Sequence, residues 1–187
     1  MGTRRPGGGH MIYIVGIPKS GTHALQKAVR ELGCDASDHL HTGNYHLAET
    51  NKVAYVLRNP RNVLLSSIRY RNHQMRGWED TITEEKWIDG FFNFFNTPLP
   101  GVYYGYAKWL TSKAHIVRFE SLMDRSAIPA LAAFCEVSVK PIALEGGTPT
   151  WTGELSDWRK YWTEGIDRVW REEGMEVVER GLGYAND

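Results

Sequence analysis

The residues most able to do chemistry are eight in a row, Val15-Gly16-Ile17-Pro18-Lys19-Ser20-Gly21-Thr22. Gly16 and Gly21 permit tight backbone geometry, Lys19 adds a point charge, and Ser20 and Thr22 add hydroxyl donors. An apolar, β-branched run precedes them and a helical pattern follows. Backbone N–H groups and a helix N-terminus converge on an anion in such a strand-loop-helix. A Walker loop places its lysine directly after the second glycine. Here Thr22 stands in that place, and the lysine lies two residues before Gly21. A second discriminator is the end of a later strand, where nucleotide hydrolases usually present a metal-holding aspartate. This chain presents Arg58 there, with Arg61 close behind. A cation in that position argues for an extra bound anion and against a metal, although arginines flanking a proline turn are often plain surface charges.

The elements that must position these groups follow from periodicity. Ile12 to Val15, residues 34 to 41, Val53 to Leu57 and Ile116 to Phe119 read as strands. Helices are expected from Thr22, with Leu25, Ala28, Val29 and Leu32 on one face and Gly33 as stop, and from Pro60, capped by Asn59. Residues 78 to 112 suggest two aromatic-rich helices broken at Thr97-Pro98-Leu99-Pro100-Gly101. Most of those aromatics are expected to pack on the sheet, with one or two reaching a substrate. A helix spans Ile128 to Glu136, and a last helical region runs from about Ser156 to Arg180. Strands alternating with helices imply an α/β fold, a P-loop-type central parallel β-sheet with helices on both faces.

The chain has 187 residues, 42% of them hydrophobic, which suits one domain over residues 11–187. Residues 1–10 lack periodicity and are read as an expression leader with the natural start at Met11; a native basic arm is the alternative. Lys plus Arg equals Asp plus Glu at 22 each, so no overall field favours nucleic acid or an anionic membrane. Any anion site must therefore be local. No apolar run approaches the roughly 20 residues of a membrane span. The two cysteines, Cys34 and Cys135, sit in unrelated contexts without metal-ligand spacing, so a disulfide framework is not expected and a cytoplasmic location is.

Pro18-Lys19-Ser20-Gly21-Thr22 closely resembles the 5′-phosphosulfate loop of sulfotransferases that use 3′-phosphoadenosine-5′-phosphosulfate (PAPS). Arg58-Asn59-Pro60-Arg61-Asn62-Val63-Leu64-Leu65-Ser66 resembles their 3′-phosphate motif, a strand-end arginine with a serine eight residues later. Val117-Arg118-Phe119-Glu120-Ser121-Leu122 is similar to a strand-to-helix element of the family. Gly153 with Ser156-Asp157-Trp158-Arg159 resembles its late Gly-rich loop. The four elements keep the family's order over about residues 12 to 163.

The resemblance implies roles at matched positions. Lys19 would contact the 5′-phosphosulfate and stabilise charge on the leaving bridge oxygen. Pro18, Ser20, Gly21 and Thr22 would form the 5′-phosphate cradle, Arg58 and Ser66 would grip the 3′-phosphate, and Gly153 would offer backbone amides. His23, counted with the cofactor site, stands just past the loop with Ala24 and Leu25 where many members carry an adenine-stacking aromatic residue, a departure that leaves the adenine to another surface or to weaker stacking. Trp151 is a second candidate contact, for adenine or acceptor, although buried tryptophans are usually core. Thr150, Trp151 and Thr152 replace basic residues that often precede the late glycine. Short length implies reduced acceptor-binding insertions, so the acceptor pocket does not carry over.

Such a reaction moves a sulfuryl group from PAPS to a hydroxyl or amine of a small-molecule or carbohydrate acceptor, leaving PAP, without metal. A hydroxyl acceptor must lose a proton, and histidine suits the base. Of seven histidines, His39, His41 and His46 lie between the first helix and the Val53 strand, where the family carries its base. His39 and His41 project to one side of an extended chain. His41 is nearer the edge where ligands bind in open sheets, and Thr42-Gly43 follows it as a turn. Asp38-His39-Leu40 in turn resembles the family's histidine-leucine pair, so both remain candidates. Two other classes stay open: a small P-loop kinase or nucleotide hydrolase, and a non-catalytic module that binds PAP or another nucleotide.

Overall fold

The computed structural model describes residues 11–76, 82–144 and 157–184. Three strands, β1 (Ile12–Gly16), β2 (Lys52–Leu57) and β3 (His115–Arg118), form a parallel sheet in the order β1-β2-β3. Val15 pairs with Tyr55, and Val56 with Val117, so the C-terminal ends of β1 and β2 open onto one edge. Side chains alternate along each strand. Ile12, Ile14, Ala54, Val56 and Val117 join one core with helices α1 (Thr22–Glu31), α6 (Phe119–Met123) and α7 (Ile128–Cys135). Val15, Val53, Tyr55 and Leu57 face the other way, toward Trp109 and Tyr184. Beyond them lies a third cluster built by α3 (Pro60–Arg76), α4 (Glu84–Phe92), α5 (Leu99–Tyr106), α8 (Glu164–Glu172) and α9 (Met175–Leu182). The short α2 (Leu47–Thr50) precedes β2. Helices therefore cover both faces of a parallel sheet, as the alternation of elements implies.

The expected strand over residues 34–41 is only partly realised. This segment runs along the free edge of β1, with Ile12 N–H donating to Asp35 O at 2.9 Å and Leu40 N–H to Ile14 O at 2.8 Å. Between those points Ile14 N–H donates to Ser37 Oγ at 3.1 Å, a side chain standing in for the backbone carbonyl. The ladder is interrupted, and two isolated bridges remain at Ala36 and Leu40.

Three other boundaries shift for local reasons. Phe119 opens α6 and does not belong to β3. The aromatic helices part at residues 93–98, and Leu99-Pro100-Gly101 forms the first turn of α5, where a proline needs no N–H partner. The final helical region is three pieces, a 3₁₀ turn (Trp158–Tyr161), α8 and α9. Thr163 caps α8 through Ile166 N–H at 3.3 Å, and Gly174 separates α8 from α9 in a left-handed conformation.

Of the aromatic stretch, Trp87, Phe91, Phe94, Tyr103 and Trp109 are buried, while Phe92, Phe95 and Tyr104 are exposed. Cys34 and Cys135, distant in sequence, meet in the core of the α1 face. Cys34 Sγ lies 3.9 Å from the Cys135 carbonyl, and both thiols are free. Among the described residues no helix is long and apolar enough to cross a membrane.

Candidate active site

The loop between β1 and α1 is held open by backbone geometry. Ser20 N–H donates to Ile17 O at 3.0 Å, while Lys19 and Gly21 both adopt left-handed conformations, with φ of 69° and 109°. For lysine this conformation costs on the order of 1–2 kcal/mol, so something must hold it. Arg58 does so, donating from Nη1 to the Lys19 carbonyl at 3.1 Å. Gly21 is required twice over. Its φ disfavours any L side chain, and a Cβ there would lie 2.2 Å from the Phe119 ring. As the N-cap of α1, Gly21 supplies no side-chain cap, so the first-turn amides at Thr22, His23 and Ala24 are left to a ligand or water. Ser20 and Thr22 are buried, Pro18 is half-buried, and Ser20 Oγ has no hydrogen-bond partner. A buried orphan hydroxyl inside a ring of amide donors is a fitting place for a phosphate oxygen.

Arg58, at the end of β2, forms the second part of the site. It is 6% exposed, its guanidinium lies 4.4 Å above the Phe119 ring, and Nε has no partner. Burial pushes its pKa down to about 10, against the opposing pull of Glu120. Glu120 is engaged at both oxygens, accepting from Asn59 N–H at 3.0 Å and from the Tyr184 hydroxyl at 2.8 Å. The strand-to-helix carboxylate thus braces the turn that carries Arg58. Ser66 is buried on α3, two helical turns further on.

Arg61 has a different task. Its Nε and Nη2 each donate at 2.8 Å to the buried Glu179 carboxylate. The guanidinium packs 4.2 and 4.4 Å from the rings of Trp158 and Trp162, and Trp170 Nε1 donates to Glu179 at 3.0 Å. This bidentate pair fastens the first turn of α3 to α9. Of the two arginines at the strand end, only Arg58 turns toward the loop between β1 and α1.

Lys19 Nζ sits 3.7 Å above the Tyr70 ring, and burial together with the Arg58 charge pushes its pKa down to about 8. Three imidazoles lie beside it. His23 and His39 have ring centroids 4.2 Å apart, and His39 and His41 5.3 Å. His41 Nδ1 is 2.7 Å from the Gly16 carbonyl. A carbonyl only accepts, so that nitrogen carries the hydrogen and Nε2 keeps a lone pair for a proton. Burial, then repulsion from His39 and Lys19, lowers the His41 pKa, although the Gly16 bond opposes this. His23 is lowered by burial and the same neighbours. The turn after His41 is pinned by the end of α5 and the 3₁₀ turn that follows it (Ala107–Thr111): a Cβ on Gly43 would meet Gly105 O at 2.9 Å, and Trp109 Nε1 donates to Thr42 O at 2.8 Å. His46 is elsewhere, paired with Glu49 at 2.7 Å on α2.

The fold thus gathers Lys19, Ser20, Gly21, Thr22, Arg58 and the His23-His39-His41 group at one sheet edge. Ser66 belongs to the helix that begins there. Trp151 and Gly153 lie outside the described residues. Phe119, Glu120, Tyr70 and Trp109 are supporting residues that sequence reasoning missed. Glu120 lay inside a recognised motif, but Tyr70 and Trp109 carry no local signal that they would support a lysine or a histidine turn.

The parallel sheet with helices on both faces is an α/β arrangement shared with a solved sulfotransferase structure. Among solved structures the chain is similar to mouse sulfotransferase SULT7A1 complexed with PAP, with a TM-score of 0.68 and 16% identity. The likeness covers 94% of this chain and 88% of that one. No protein-family model and no curated protein matches the sequence.

Proposed function

We propose that the chain transfers the sulfuryl group of PAPS to a hydroxyl or amine acceptor. One observation carries the reading: a buried arginine with a free Nε stands at the end of β2 and is tied directly to the phosphate-loop lysine. A metal-dependent nucleotide hydrolase needs a carboxylate at that position. A ligand with phosphates at both 3′ and 5′ positions suits a guanidinium there and orphan donors in the loop.

In this reading the acceptor oxygen attacks sulfur as the bond from sulfur to the bridging oxygen breaks, and PAP leaves. The acceptor proton passes to His41 Nε2, with His39 as the neighbouring alternative. Lys19 meets the charge that develops on the bridging oxygen, and the loop amides with Ser20 and Thr22 hold the 5′-phosphate. Preorganised donors of this kind act where charge develops.

PAP should raise the melting temperature more than ADP or ATP does, with no Mg²⁺ present. Equal stabilisation by ATP and PAP, or a strict need for Mg²⁺, would overturn the reading in favour of a nucleotide hydrolase. Selective PAP binding with no sulfated product across hydroxyl and amine acceptors would instead indicate a binding module.

The lowered pKa values predict the pH profile of kcat/KM for PAPS, which reports the free enzyme. Lys19 is charged below about 8, so the profile should fall as pH rises through that value. His41 must be neutral to accept a proton, and its lowered pKa puts the acid limb below the ordinary 6.5. Lys19→Arg should move the alkaline limb out of range; an unmoved limb would assign it to another group.

A further inference from the structure

Helix α3 sets a partly buried row of polar residues beside its apolar face. Asn62, Ser66 and Arg69 recur at intervals of four and three residues, which sets them on one face. Asn62 and Ser66 are each 8% exposed, and Asn62 Oδ1 has no hydrogen-bond partner. The neighbouring Val63, Leu64, Leu65 and Ile68 are buried in the apolar core. A buried polar stripe beside such residues costs stability unless something polar meets it.

Arg69 is positioned from outside the helix. Its Nη2 donates to the Tyr161 hydroxyl at 3.1 Å, with the guanidinium carbon 5.6 Å from the Tyr161 ring centre. Long side chains on a helix lean toward its N-terminus. Such a lean runs from Arg69 back toward Ser66, one turn earlier, and the start of the helix where Arg58 stands. The two guanidiniums feel each other, since the Arg69 charge is among those that make Arg58 easier to deprotonate. Glu120, which opposes this, already has both oxygens engaged by Asn59 and Tyr184. Like charges gathered in a partly buried space favour a bound anion.

The charge of that anion follows from its chemistry. A phosphate monoester carries roughly −1.5 to −2 at pH 7, more than one guanidinium and a serine hydroxyl can balance. We propose that Arg69 is the second cation of the 3′-phosphate site, so that the phosphate lies between Arg58 and Arg69 over Ser66. This inference rests on the sulfotransferase reading and adds a specificity residue to it. Lys19 and the loop serve the 5′ end, while Arg58, Ser66 and Arg69 distinguish the 3′-phosphorylated nucleotide from its plain counterpart.

The test is calorimetric binding of PAP and of AMP, which differs from PAP only in lacking the 3′-phosphate. Arg69→Gln should weaken PAP on the order of 10- to 100-fold, as for a lost charge-assisted hydrogen bond, and leave AMP within about twofold. Arg69→Lys keeps the charge without the fork and should lose less. The salt dependence of PAP binding should also become shallower in Arg69→Gln, while that of AMP stays unchanged. Equal weakening of both ligands, or no change in either, would overturn the Arg69 assignment. Should Arg69→Gln fail to fold, an Arg69→Lys protein with an unchanged ratio of PAP to AMP affinity would overturn it equally. Wild-type protein that binds PAP no better than AMP would overturn the sulfotransferase reading itself, whatever Arg69 does.

Discussion

His41→Ala should lower kcat by roughly 10²- to 10⁴-fold while leaving PAP affinity nearly intact. The expectation rests on the bond from His41 Nδ1 to the Gly16 carbonyl, which leaves Nε2 free on a ring fixed at the mouth of the phosphate loop. The carbonyl plays the orienting part that a carboxylate plays in a catalytic triad. Its lowered pKa keeps the imidazole in the basic form at neutral pH. His39 offers no comparable hydrogen bond among the described residues, but its ring is 5.3 Å away. The two alanine variants must therefore be compared in one assay. Loss of turnover in His39→Ala with near-normal His41→Ala would assign the base to His39. Normal turnover in both would remove histidine base catalysis from the mechanism.

The second large effect is expected at Arg58. Arg58→Ala should cost about 2–5 kcal/mol of PAP affinity, by analogy with truncated buried charge pairs. Here binding and geometry are linked. Arg58 also holds the Lys19 carbonyl, so its removal relaxes the left-handed residue that forms the crest of the loop. Turnover should fall along with affinity, unlike in His41→Ala. Arg58→Lys should recover little, because an ammonium cannot reach both the loop carbonyl and a phosphate. A change in PAP affinity below roughly 0.5 kcal/mol would be that of an ordinary surface substitution and would remove Arg58 from the site.

The layered α/β architecture was legible because it depends on local signals. Ile12 to Val15 and Val53 to Leu57 are β-branched and apolar, the helix from Thr22 is periodic and ends at a glycine, and Asn59-Pro60 is a helix start. Each of these is written in a few consecutive residues, and each appears where expected. The segment at 34–41 failed as a regular strand because a hydroxyl can replace a carbonyl on a sheet edge, and propensity does not register that exchange. The last helical region split where Gly174 turns left-handed and lets α9 pack against α8.

By itself, then, the chain determined its candidate anion loop, its misplaced lysine and the arginine where a carboxylate is usual, since residue type and spacing along one short segment specify these. Only the tertiary structure decided what the arginines do. Arg58 and Arg61 are three residues apart and chemically identical, yet one is buried beside the loop and the other is locked to Glu179 between tryptophans. Only the fold brings Tyr70 beneath Lys19, Trp109 to the turn behind His41, and Cys34 against Cys135. The physical reason is common to all of these. Electrostatic and packing energies depend on distance and burial in space, and partners far apart in sequence acquire those values only when the core closes.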